Sequence, residues 1–398
     1  LTDAIKNAYA GAIYGEGKAL TEAVCRQIIE RATQEIERKL VCLRHYVPCH
    51  LPVDEKATPF SIGPVNFRPT ADLLLSLSDK LQQHTIDTEK IYREQEKFSV
   101  ANRGPRLVPR EERWPLLETR KSAKHFEEQL RESYNYFPWI ADIQLNRFDH
   151  KKSAQVAELC VDIALAVIKL FLQPTHAERI YSGYMPIPLG KGANLTESLD
   201  GRVDISLTRK WVQIVENGWF EKNLGGNTTQ KWLSYCGLFI NGTAAGEKAP
   251  YPYRRMTNAL LWYSQALNQT LHHLKVISFS SAIEAIVPTS RDKIVEEFST
   301  RVSLFMEDGG EWNKKAKEFY KVRSALSHGT LNAVSDEAQN MAWRGQRMAQ
   351  RVLLNAIPWT FWVHSEAKVE NNEGLAFAYR NRWQEYLDQS KIEKADEV

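Results

Sequence analysis

The stretch "KEFYKVRSALSHGTLN", Lys317 to Asn332, decides what the carboxy-terminal part of this chain becomes. Phe319, Val322 and Leu326 recur at three- and four-residue steps, which places them on one stripe of an α-helix. Gly329 follows as the residue that most easily takes the left-handed conformation that ends a helix. Helical periodicity resumes at Ser335, so the text predicts two helices joined by a short turn, the antiparallel arrangement of a bundle.

Working outward, the same periodicity predicts helices over residues 254–268, 271–287, 291–306, 311–328, 335–357 and 374–390. Pro288, Gly309, Gly310 and Gly329 stand where helix stops belong. Upstream the texture is mixed. A helix is expected over residues 3–40, with Val24, Ile28, Ile29, Ala32 and Ile36 on one face, followed by short β-like runs punctuated by proline over 41–67. Helical patterns over 70–98 and 116–133 flank the charged connector "NRGPRLVPREERWP". The strand candidate "FPWIADIQL" leads into a strong helix over 153–172. Between Tyr181 and Gly242 the text returns to β-like pieces such as "VDISL" and "KWVQIVE", ending in "NGTAAGEKAPYP". The expected fold class is therefore α+β, mainly α. A mixed amino-terminal domain of residues 1–245, with room for two subdomains, precedes an all-α helical bundle of residues 246–398.

Bulk properties exclude several classes. With 398 residues, 43% hydrophobic and 25% charged, the chain has material for two or three cores and is not a disordered tail. A net charge of +3 is too small to announce a nucleic-acid binder, so any basic patch must be local. Five scattered cysteines predict reduced thiols and a cytoplasmic protein. The longest apolar runs, 160–172 and 352–363, fall short of the roughly 20 residues a membrane span needs. Four Asn-x-Ser/Thr matches, at Asn194, Asn227, Asn241 and Asn268, would matter only in a secreted protein and read as chance.

Chemistry concentrates at the end of the 311–328 helix. Arg323 flanks the buried stripe, and His328 lies roughly 140° further around an ideal helix, so one helix alone does not focus the two side chains. A second copy related by a two-fold axis would complete the site. Ser324 is four residues before His328 and shares its face, and the carbonyl end of the helix favours a cationic ring there. An arginine stabilises the charge that builds on a phosphate, and a histidine can take the proton of a ribose 2′-hydroxyl. Those two groups suffice for RNA cleavage with no metal and no cofactor. Between Glu311 and Arg351 eight basic residues (Lys314, Lys315, Lys317, Lys321, Arg323, Arg344, Arg347, Arg351) face four acids (Glu311, Glu318, Asp336, Glu337), an excess of four. Arg344, Arg347 and Arg351 repeat at helical spacing opposite the stripe of Met341, Met348 and Val352, forming either a phosphate-receiving face or a solvated one.

Three segments taken together, "ALLWYSQALNQTLHHLKVISFSSAIEAIV", "FSTRVSLFM" and "FYKVRSALSHG", resemble the HEPN superfamily, and within it the ApeA-like HEPN domains. These end their key helix in a Tyr-x-x-Arg-Ser-x-x-x-His-Gly phrase, matched here by Tyr320, Arg323, Ser324, His328 and Gly329. The likeness covers residues 254–330, and "FSIGPVNF" is vaguely similar to the parts that precede such domains. It implies a helical homodimer with two Arg-x4-His motifs facing each other, acting as a metal-independent ribonuclease that leaves a cyclic phosphate. It also implies a toxin-like or antiviral role governed by a trigger ligand or protein at the amino-terminal domain. Arg323 and His328 take the catalytic positions and Ser324 the polar one beside them. Tyr320 and Gly329 support them, and Lys321 with the three arginines would meet RNA. Glu284 matches an acidic position that pairs with the arginine or else fixes helix packing. Thr330 stands where the nucleotidyltransferase-paired branch carries tyrosine, which argues against that branch. Some members have lost catalysis, so a silent dimerisation or RNA-binding module is the alternative.

Other motifs carry less. "CLRHYVPCH" gathers Cys42, His45, Cys49 and His50 but lacks the distant ligand pair of a zinc site. His272 and His273 are adjacent and diverge on a helix. "LGKGAN" lacks the full phosphate-loop pattern and reads as a turn. A metal nuclease within the amino-terminal half remains a third function class.

Overall fold

The computed structural model describes residues 2–15, 21–53, 58–73, 75–76, 90, 137–183, 191–197, 203–209, 217–245, 249–290, 292–307 and 309–396. The helices expected over 70–98 and 116–133 fall largely outside these residues, as do the connector at 102–115 and "KWVQIVE". The architecture is α+β and mainly α, with the small sheets in the amino-terminal part and helices thereafter.

α1 (Thr2–Ala10) runs into a π-helical turn at Gly11–Gly15 and is followed by α2 (Glu22–Lys39), so the helix expected over 3–40 is two elements. Thr21 caps α2 by accepting from the Val24 amide at 3.3 Å. Ala8, Ala12, Val24, Ile28 and Ala32 form a small separate core, whereas Ile29 is 65% exposed. The buried stripe is therefore narrower than expected; among the described residues the short α1 is the element that covers it.

β1 (Val41–His50), β2 (Phe60–Ile62), β3 (Val65–Pro69), β4 (Trp139–Phe148) and β5 (Tyr181–Ser182) form an antiparallel sheet in the order β2-β3-β4-β1-β5. β4 is central and buries Trp139 through Ile143 on both faces, which is why it reads as a nearly unbroken apolar run. Gly63 takes φ +57° in the tight turn between β2 and β3. α3 (His150–Phe171) crosses the sheet, with Asp149 capping it by accepting from the Lys152 amide at 2.9 Å.

α4 (Pro174–Ala177) leads to β5, and β6 (Lys191–Glu197) pairs with β7 (Val203–Arg209) as a separate hairpin. Lys191 to Asn194 of the "LGKGAN" segment are thus strand rather than turn. The larger correction lies just beyond. α5 (Trp219–Leu224) and α6 (Asn227–Ala244) occupy a region expected to hold short strands. Leu233, Cys236, Gly237 and Ile240 of α6 are buried at helical spacing, a periodicity masked by the aromatic and β-branched residues between them.

α7 (Tyr251–Asn268), α8 (His272–Ile286), α9 (Ile294–Leu304), α10 (Gly309–Ser327) and α11 (Asp336–Ser365) build the bundle. α12 (Asn372–Asn381) and α13 (Trp383–Asp396) follow as two helices where one was expected. α11 continues through Pro358, although an interior proline costs roughly 3 kcal/mol. Beyond it Trp359, Trp362 and Val363 are buried, and Trp359 lies 4.7 Å from Trp383 and 5.2 Å from Tyr379 between ring centres. That burial offsets the lost hydrogen bond. Residue 246 falls between α6 and α7, and one buried cluster runs across it from the sheet to α12.

Two features yield predictions. A Cβ on Gly237 would lie 2.8 Å from the Gly63 backbone, so this glycine lets the β2–β3 turn seat on α6. Gly237→Ala should cost roughly 1–3 kcal/mol in urea unfolding; an unchanged midpoint would contradict that contact. Lys169, in the buried half of α3, is 1% exposed, and burial pushes its pKa down to about 7 against the pull of Asp162 and Glu178. In the unfolded chain a lysine holds its proton to about pH 10.4. Between the two values the unfolded state binds more protons, so this group makes stability rise with pH. Buried Cys49 and Cys236, whose thiols burial pushes up, oppose it above about pH 8.5. Lys169→Met should therefore flatten the rise in stability between about pH 7 and 8.5, and parallel slopes in the two proteins would refute it.

Candidate functional site

α10 ends as its sequence predicts. The Thr330 amide donates to the Ala325 carbonyl at 2.9 Å and the Gly329 amide to the Leu326 carbonyl at 3.3 Å, with Gly329 at φ +73°. This paired closure satisfies the orphan carbonyls of the last turn and leaves His328 as the capping residue. Its amide donates to the Ser324 carbonyl at 3.0 Å, while its imidazole is exposed and makes no hydrogen bond among the described residues.

Arg323 sits one turn earlier in a different setting. Its Nη2 lies 3.5 Å from Glu284 Oε1, and its guanidinium lies over the Tyr320 ring at 5.4 Å. Both charged side chains are about a quarter exposed, at 25% and 28%. The Arg323 Nε is buried and has no hydrogen-bond partner among the described residues. Tyr320 is buried against Phe298, with ring centres 4.9 Å apart. Burial first, and then the Glu284 charge, raise its phenol pKa, while Arg323 works in the opposite direction.

Glu284 is held by residues that the sequence did not single out. Ser280 Oγ donates to Glu284 Oε1 at 2.7 Å from one turn earlier on α8. Arg255 of α7 donates to the Glu284 carbonyl at 2.8 Å and to the Ala285 carbonyl, closing the end of α8. The same guanidinium reaches Asn372 Oδ1 at 3.0 Å. Ser280 carried a visible signal, a hydroxyl four residues before a carboxylate on a helix. Arg255 carried none, because its acceptors come from another helix and from the start of α12.

The remaining predicted residues spread outward. Ser324 is half-buried and its hydroxyl makes no hydrogen bond among the described residues. Lys321 and Arg347 are exposed; Arg344 lies 3.7 Å from Glu318, and Arg351 lies over the Trp312 ring at 5.7 Å. Arg344, Arg347 and Arg351 share an exposed side of α11 that flanks the buried stripe of Met341, Met348 and Val352, about a quarter turn away rather than opposite it. Arg323, Glu284 and Tyr320 thus come together. Among the described residues no hydrogen bond or ion pair joins Arg323 to His328.

The cysteine and histidine cluster on β1 is dispersed. Cys42 is exposed beside Asn146, His45 Nε2 is 2.6 Å from Ser153 Oγ, Cys49 is buried, and His50 Nδ1 is 3.0 Å from the Arg179 carbonyl. Among the described residues no group of three potential ligands converges. His272 and His273 at the start of α8 each hold a buried Nδ1 with no hydrogen-bond partner among the described residues. Among these residues, too, no helix is long and apolar enough to cross a membrane.

No protein-family model, curated protein or solved structure matches this chain.

The chemistry available is that of the residues themselves: a guanidinium shared between a carboxylate and an aromatic face and, five residues further along the same helix, an exposed imidazole at its end. Gly329→Ala should cost about 1 kcal/mol, because alanine disfavours the left-handed region. Thermal unfolding measures this, and an unchanged melting temperature would mean that the helix end is held by other contacts.

Proposed function

We propose that the chain is a metal-independent endoribonuclease of the HEPN type, acting as a homodimer in which the ends of two α10 helices share one RNA site. The observation that carries this reading is the contrast on α10. Arg323 is pre-oriented by Glu284 and Tyr320, whereas His328 is exposed and free of competing hydrogen bonds among the described residues.

In this mechanism the imidazole of His328 takes the proton of a ribose 2′-hydroxyl. The oxygen attacks the adjacent phosphorus as the bond to the 5′-oxygen of the next nucleotide breaks, and that oxygen takes a proton from an imidazolium of the shared site or from water, leaving a 2′,3′-cyclic phosphate and a 5′-hydroxyl. Arg323 neutralises the charge that grows on the non-bridging oxygens. Its shared position favours this task, since an incoming phosphate competes with one quarter-exposed carboxylate rather than with a fully buried pair. Ser324 is near enough in sequence to bond a ligand oxygen, and the basic side of α11 would receive the flanking phosphates. The amino-terminal part would sense a trigger or select the target, in a toxin-like or antiviral role.

A second reading follows from the same contact: Arg323 tied to Glu284 also links α10 to α8, which is what a catalytically silent dimerisation or RNA-binding module would keep. Full-length protein incubated with cellular RNA and a chelator separates the two. Cleavage is expected to persist with chelator and to fall on the order of 10²-fold or more in His328→Ala and Arg323→Ala. Cleavage unchanged in His328→Ala would sink the enzymatic reading, and loss in chelator would point to a metal nuclease elsewhere in the chain.

A further inference from the structure

A cavity of about 380 Å³ opens between α3, β5 and α7, away from Arg323 and His328. Its floor holds two opposite charges on one helix. Asp162 and Lys169 are seven residues apart on α3, nearly two full turns, so they share a face at roughly 10 Å along the axis. The Lys169 ammonium donates to Ser264 Oγ at 2.8 Å and, at the limit of bonding, to Asn268 Oδ1 at 3.5 Å. A lysine has three donors, and among the described residues no carboxylate pairs with this one. At the other end Asp162 Oδ1 accepts from Ser182 Oγ at 2.8 Å, and Oδ2 has no partner among the described residues. Half-buried Ser264 and Asn268 and exposed Gln265 form the wall on α7.

Burying an ammonium without a directly bonded counter-charge is costly, and an apolar residue there would avoid that cost. Keeping both charges facing a cavity of small-molecule size makes sense if a ligand supplies what each lacks. We propose that this cavity binds a small dipolar molecule, with a carboxylate or phosphate at its Lys169 end and an N–H or O–H donor at its Asp162 end. The site is independent of the nuclease reading. Its walls come from the amino-terminal sheet region on one side and a bundle helix on the other, so an occupant would touch both.

Several groups around Lys169 also bear on its charge. Asp162 on α3 and Glu178 after α4 favour the cation, and Glu178 is itself paired with Lys275 of α8 at 2.9 Å. Tyr263 on α7 and Tyr181 on β5 have phenols pushed up by burial. The His50 ring stacks on Tyr181 at 5.0 Å, and burial lowers its pKa. None of these supplies an anion directly bonded to the ammonium.

The test is titration calorimetry on the full chain, with adenosine monophosphate as the phosphate probe and L-glutamine as the carboxylate probe. At least one is expected to bind, and which one binds identifies the anionic group. Lys169→Met should weaken binding at least tenfold while the protein stays folded. Asn268→Leu, which removes the longer 3.5 Å contact of the ammonium and keeps the 2.8 Å one to Ser264, should weaken it as well, and it serves if the lysine variant does not fold. Affinity for L-glutamine, whose carboxylate does not titrate in this range, should fall as pH rises from about 7 to 8.5 and the lysine loses its proton. The proposal is overturned if neither probe binds at millimolar concentration, or if binding is equal in wild type and both variants. RNA cleavage plays no part in these readouts.

Discussion

From Cys160 onward α3 is buried on nearly every side, and a helix of that kind has to be covered all round. The sheet covers one side through β4, β1 and β5, and α6 and α7 cover much of the rest. The other elements arrange themselves around this demand. Gly63 and Gly237 meet backbone to backbone so that the β2–β3 turn can close on α6. Gln350 of α11 donates to the carbonyls of Leu170 and Leu172, closing the end of α3 from the bundle side. One buried cluster consequently extends from the sheet into the bundle. The charges that α3 retains, Asp162 and Lys169, stand out against that apolar background.

Around α10 the constraint is of a different kind. Phe319 is fully buried against Gly345 of α11, where an added Cβ would lie 2.5 Å from its ring, and this close approach sets how α10 lies on α11. On the side facing α8, Arg323 is oriented by a carboxylate whose own backbone is clamped by Arg255. The partly exposed pair contributes little to stability, since salt screening and side-chain entropy take most of its Coulomb gain. Its effect is on direction: the guanidinium is kept near the protein surface, held between the Glu284 carboxylate and the Tyr320 ring. His328 is left open by a different device: backbone hydrogen bonds and the Ser327 and Thr330 hydroxyls close the helix end, and the ring makes no hydrogen bond among the described residues.

Legibility along the chain followed the physics of each element. The bundle helices from 251 to 327 were visible because apolar spacing, helix stops and a glycine cap agreed with one another. α6 was not, because Trp232, Tyr235, Phe239 and Ile240 belong equally to strand texture, and only the burial of Leu233, Cys236, Phe239 and Ile240 among α3 and the bundle helices selects a helix. The passage of α11 through Pro358 was hidden for a similar reason: the aromatic cluster that offsets the proline comes from α12 and α13. At the site, Arg323, Ser324, His328 and Gly329 were legible as a local phrase on one helix. Arg255 and the Lys169 cavity were not, since each is assembled from segments far apart in the chain.

The sequence by itself determined where α10 stops, because Gly329 is the residue that closes a helix at least cost, and it determined that Arg323 flanks a buried stripe, because helical spacing is a local property. Only the tertiary structure decided that Glu284 and Tyr320 hold Arg323 while His328 remains open. It alone placed Lys169 and Asp162 on the floor of a cavity. Helical period and capping depend on neighbours a few residues away; burial, ion pairing and cavities depend on which surfaces meet, and that is settled by covering α3 and packing Phe319 against Gly345.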